Sequence, residues 1–185
     1  MADFYYELSW KAAFKAYSLK QFVKDSIIPF VLAITFLVLS FIRRDLSLAS
    51  IIVKVADMMI VLLPVFISIL IAAFAIWISF FLSNTIDFIK KSKDGKELLN
   101  ELNASFLIEI SFSIIGMLFT ISVLIIAGMG FFIDDHYALM VNTIVLFLLL
   151  FICFAVIWWL IYIAKNLHNV AKFTILYERI ENMNK

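Results

Sequence analysis

Four long apolar runs, separated by short polar stretches, dominate the chain. They predict transmembrane helices over residues 27–45, 51–83, 108–133 and 137–164, because about 20 apolar residues in helical conformation cross a hydrocarbon core of about 30 Å. Ser26 and Pro29 read as the N-cap and first turn of the first of these helices. Pro64 removes a backbone donor inside the second and predicts a kink there. Between the second and third runs, Asp94-Gly95 is the strongest turn signal, and the sequence on both sides suits helix. A helical hairpin with its tip over 84–103 is therefore expected to project from the membrane. After the fourth run, Val170, Phe173, Tyr177 and Ile180 recur at steps of three and four, so the helix is expected to continue through 165–185 as a short coiled-coil-like seam. Ahead of the first run, residues 1–25 place Tyr6, Trp10, Ala13, Phe14 and Tyr17 on one helical face beside Lys11 and Lys15. That pattern suits a helix lying at the membrane surface or packed on its own protein. The fold class is an all-α integral membrane protein: a four-helix transmembrane domain over 26–164, with helical segments on one side.

Composition fits this and excludes a soluble globular domain. Of the 185 residues 65% are hydrophobic and only 16% charged, with a mean hydropathy of +1.07, too little polar surface for water. The lone cysteine, Cys153, falls inside the fourth span and precludes an intramolecular disulfide. The first run reads as a retained helix and not a cleaved leader, because acidic Asp3, Glu7 and Asp25 precede it and two arginines follow. Net charge is only +1, but its distribution is lopsided. Lys11, Lys15, Lys20, Lys24, Lys90, Lys91, Lys93, Lys96, Lys165, Lys172, Arg179 and Lys185 lie on one side of the spans, and Arg43, Arg44 and Lys54 on the other. The positive-inside rule then predicts cytoplasmic N- and C-termini, and the low Gly and Pro content with many Ile, Lys, Phe and Asn fits a bacterial inner membrane. Trp77, Trp158, Trp159 and Tyr162 read as an inner aromatic belt. The outer loops are too short for a binding domain, so a soluble partner is expected in the cytoplasm. Trp10, Lys11, Phe14, Lys15, Lys90, Lys91, Lys93, Lys96, Phe173 and Tyr177 are the candidate partner- or lipid-facing residues.

The chemistry centres on "SFLIEISFSIIGMLFT", residues 105–120, where a carboxylate stands in an apolar run. Ser105, Glu109, Ser113, Gly116 and Thr120 share one helix face. With the outer boundary at 130–134, the core reaches back to about Ser111, which puts Glu109 at the inner interface within reach of water. The competing reading is a functional buried charge at a subunit interface or cavity. Ser68, Ala72, Ala75, Ser79 and Ser83 line one face of the second helix, and Gly116 and Thr120 part of the third. Small residues in spans serve close helix packing, and a second such face predicts a homo-oligomer; a hydroxyl-lined pore is the alternative. Gly128 and Gly130 read as further packing glycines or as a loosened outer end. Lys54 and Asp57, three apart, suit an exposed ion pair. Asp134, Asp135 and His136 read as a polar turn and not a metal site, and His168 as a surface residue. No catalytic, cofactor-binding or metal-ligating set is expected, nor nucleic-acid binding: Gly-rich phosphate loops, Cys/His clusters and nucleophile–base pairs are missing. The sequence also lacks a potassium-type filter, a regularly spaced arginine helix and the paired broken helices of inverted-repeat transporters.

In length, four-span topology and inner-side bias the whole chain resembles the small four-span subunits of bacterial phage-defence systems. More specifically, it resembles the membrane component of Kiwa-type systems, which is paired with a cytoplasmic effector. The resemblance implies sensing of membrane disturbance during infection and relay to a cytoplasmic effector; it carries over no site residue. The expected function is a non-enzymatic membrane subunit that self-associates and docks a cytoplasmic partner. An ion channel or holin-like pore, with Ser105, Glu109 and Ser113 at its inner mouth, is the alternative, and a small transporter the third.

Overall fold

A computed structural model describes residues 19–42, 47–81, 93–130 and 136–183, all but a few of them in four helices. These are α1 (Leu19–Ile42), α2 (Leu48–Phe81), α3 (Lys93–Gly128) and α4 (His136–Met183). Each contains a stretch long and apolar enough to cross a membrane: Phe22–Ile42, Leu48–Ser79, Leu99–Gly128 and Ala138–Lys172. The amphipathic segment expected over 1–18, the charged loop 43–46, the segment 82–92 and the 131–135 turn lie outside the described residues.

The helices pack around α4, which meets α1, α2 and α3, while α2 and α3 also pair closely. In its most apolar stretch 44% of residues are buried, against 11% for α1, so α4 is the hub and α1 the periphery. α2 and α3 run antiparallel: Phe74 packs against Phe106 at 5.3 Å and Trp77 bonds to Asn103, so each step forward on α2 matches a step back on α3. Because lipid supplies no hydrophobic drive between helices, close approach must do so. Gly116 of α3 supplies it against α4. A Cβ there would stand 2.5 Å from Ile152 Cγ2, a branched methyl that cannot swing away. α1 uses its own small face, Ser26, Pro29 and Ala33, which is buried while the rest of the helix exposes residues such as Ile27, Val31 and Leu39. Aromatic contacts from Phe30 to Phe147 and from Phe36 to Phe154 extend the α1–α4 seam.

Several local expectations change. α1 is already helical from Leu19, so Ser26 is not its cap and Pro29 is not in its first turn. Pro29 simply deletes one rung of the ladder, tolerable because a helix packed against a neighbour keeps the rest. Asp94 and Gly95 belong to the first turn of α3, where acidic residues suit the helix N-terminus and a glycine is cheap. Gly128 and Gly130 pack against nothing; Gly130, at φ +76°, ends the turn after α3 in a conformation only glycine adopts easily. Lys54 and Asp57 form no ion pair among the described residues. Both are exposed, where such a pair has little net value.

The Gly116 contact yields a direct test. Gly116→Ala should lower the thermal stability of the detergent-solubilised protein by about 1–3 kcal/mol through overpacking against Ile152. Gly128→Ala, with open space around it, should leave stability unchanged or slightly raised.

Candidate functional site: a buried polar cluster at the α1–α3–α4 junction

Along spans that face lipid or apolar side chains, a hydroxyl satisfies itself most simply by donating to the carbonyl four residues back. Thr35, Ser40, Ser68, Ser79, Ser105 and Thr120 all do so, at 2.8–2.9 Å. Two buried hydroxyls break the pattern. Ser26 Oγ on α1 and Ser113 Oγ on α3 have no hydrogen-bond partner, and the same is true of Glu109 Oε2, Trp159 Nε1 and Asn103 Nδ2.

Aromatic contacts bring the start of α1 and Trp159 of α4 to the Phe112 turn of α3, next to Ser113. The Phe22 ring, one turn before Ser26, lies 5.6 Å from Trp159 of α4 and 6.5 Å from Phe112 of α3. Phe112 sits 4.7 Å from Trp159. A three-ring aromatic corner thus locks the first turns of α1 over the Glu109–Ser113 turn of α3. Asp25, beside Ser26, is near enough for its charge to act on Glu109. Glu109 itself is 4% exposed and Ser113 fully enclosed. The expectation that Glu109 reaches water is not met, because the residue is buried within the chain.

Chemically, the corner holds one carboxyl oxygen facing no donor, next to a hydroxyl and an indole N–H facing no acceptor. In the low-dielectric interior each unmade bond of this kind costs about 1–3 kcal/mol. Satisfying any one of them would return a comparable amount.

A second polar contact satisfies the Asn103 oxygen but not its Nδ2. Trp77 Nε1 donates to Asn103 Oδ1, joining α2 to α3 within the cluster of Leu70, Leu99, Leu102, Phe106, Ile163 and Val170. Trp77 and Trp159 are 0% and 1% exposed, so neither belongs to an interfacial belt. They are core residues because each bridges two helices. Asn103 and the buried Asn142 of α4 escaped the sequence reading. A signal for Asn103 existed, since it continues the Phe106, Glu109, Ser113 face by one turn, but it was masked by the hairpin-tip assignment.

Of the predicted site residues, Ser105, Glu109, Ser113, Gly116 and Thr120 come together on one buried face of α3. Ser68, Ala72, Ala75 and Ser79 do not join them; they line an exposed side of α2. Ser83, Trp10, Lys11, Phe14, Lys15, Lys90 and Lys91 lie outside the described residues. Lys93 and Lys96 fall in the first turn of α3, and Phe173 and Tyr177 in the last turns of α4, with their side chains outside the described ones. Compared with known protein families, curated proteins and solved structures, the chain matches none.

The Trp77–Asn103 bond should be measurable as a coupling. In a double-mutant cycle of Trp77→Phe and Asn103→Leu, detergent unfolding should give an interaction energy of about 0.6–1.7 kcal/mol, the range for interhelical bonds in membranes. A coupling near zero would show that the two side chains act independently.

Proposed function

We propose that this protein is a non-enzymatic membrane subunit that self-associates, registers disturbance of the bilayer through α1, and passes it to a cytoplasmic partner. The observation that carries the reading is the unsatisfied Glu109 corner, placed where the most lipid-exposed helix meets the hub. α1 is held by one narrow small-residue face, so a change in lipid packing acts on it first. Any displacement of α1 alters which of Ser26, Glu109, Ser113 and Trp159 are paired, and α3 and α4 share that change along their length. α4 spans 48 residues, about 72 Å, more than twice the hydrocarbon thickness. Its end, together with the start of α3, is the surface offered to the partner. The exposed Ser68–Ala72–Ala75–Ser79 face of α2 is the natural contact between copies, since such faces permit close backbone approach in lipid. The likeness to Kiwa-type membrane subunits agrees with an anti-phage role in the bacterial inner membrane with cytoplasmic termini. The pore alternative requires Glu109 to face an axis between copies, and its enclosure within one chain does not favour that.

Purification from the native host in mild detergent, followed by intact-mass measurement, tests the reading. A homo-oligomer carrying a stoichiometric soluble protein is expected. Glu109→Gln should preserve the oligomer, change the partner's occupancy several-fold, and cause no ion leak in proteoliposomes. A homo-oligomer without partner, whose wild-type form conducts ions and whose Glu109→Gln form does not, would replace the sensor by a channel.

A further inference from the structure

α1 and α2, although consecutive, scarcely touch. Between the end of α1 and the start of α2 lies a groove of about 430 Å³, walled by Phe36, Leu39 and Ser40 on one side and Ile51, Lys54, Val55 and Met58 on the other. That volume falls in the range of small-ligand sites, about 300–1,000 Å³. Its walls are apolar but for two residues. Ser40 is already committed, donating to Phe36 O at 2.8 Å, which leaves Lys54 as the one cation in the wall. Asp57, three residues further on, is not part of it, and no described carboxylate pairs with Lys54.

We propose that this groove binds one acyl chain of an anionic phospholipid, with the lipid phosphate on the Lys54 ammonium. Charge and depth select this occupant. Lys54 stands six residues from the start of α2, about 9 Å along the axis, where a lysine at a helix end extends to the headgroup level. From there the apolar wall runs toward the membrane centre through Val55, Met58 and Phe36, the direction an acyl chain takes from its phosphate. Phe36, Leu39 and Met58 are about half exposed, so the groove opens sideways to the bilayer and a lipid enters without leaving the membrane. A lipid seated there would fill the gap that the short α1–α2 connection leaves open. The proposal stands apart from the reading of the Glu109 corner, which lies toward the other end of α1.

Native mass spectrometry of the full-length protein tests it, with phosphatidylglycerol and phosphatidylcholine of identical chains added in parallel. Wild type should retain one phosphatidylglycerol per chain about fivefold more tightly than phosphatidylcholine, the effect of one basic residue on an anionic headgroup. Lys54→Gln should reduce phosphatidylglycerol to the phosphatidylcholine level. Met58→Trp, which fills the groove with a larger side chain at a lipid-facing position, should lower both. Equal retention of the two lipids by wild type, or unchanged retention by both variants, would overturn the proposal. So would a Met58→Trp protein that keeps its lipid but loses its oligomer, because the groove would then hold a second copy. Lys54 is exposed and pairs with no described carboxylate, so Lys54→Gln should fold normally, which circular dichroism verifies.

Discussion

A polar group inside hydrocarbon bonds to protein or to nothing, and the organisation of this chain follows from that constraint. Nearly every hydroxyl of the spans turns back to its own helix, and so asks nothing of its neighbours. The Trp77 indole cannot do this, because its N–H stands too far from its own backbone. It is met instead by Asn103 across the α2–α3 seam, and the surrounding leucines close over the pair. The Asn103 Nδ2 atom and the groups of the Glu109 corner stay unpaired. Ser26 and Ser113 forgo the bond to their own helices, yet no neighbour takes it up. Packed interiors leave few such groups, so each one calls for a physical account.

The four helices are held with unequal strength. α3 and α4 meet backbone to side chain at Gly116, and α2 is fixed to α3 by a hydrogen bond and tilted rings. α1 packs mainly on α4, through the small face of Ser26, Pro29 and Ala33 and through aromatic contacts of Phe22, Phe30 and Phe36. In lipid, where burial of apolar surface brings no gain, that difference decides which helix moves first. The least-held helix also carries one side of the unsatisfied cluster.

The sequence announced the spans clearly, since helical length and apolar content are set by the bilayer and by nothing else in the chain. The buried face of α3 was equally legible, because Ser105, Glu109, Ser113, Gly116 and Thr120 recur at helical spacing. What could not be read was which face meets which neighbour. The small residues of α2 look no different from those of α3, yet one stripe lies outside and the other inside. The small face of α1 was overlooked because Pro29 and Ser26 suggested a helix start. Trp77 and Trp159 were assigned to the interface by residue type, whereas partners from other helices enclose them. Water access at Glu109 was judged from its distance along α3. Its burial follows instead from packing within the chain.

Two of the proposed interactions fall on α2 and do not compete. The groove beside Lys54 ends at Met58, and the exposed small-residue face begins at Ser68, ten residues and about 15 Å further along the axis. Copies joined along that face can approach closely where side chains are small, while the level occupied by Lys54, Met58 and Val61 carries long side chains that hold neighbours apart. On these proposals the lipid takes the end of α2 nearest α1 and a second copy the exposed small-residue face further along, so the two can be occupied together.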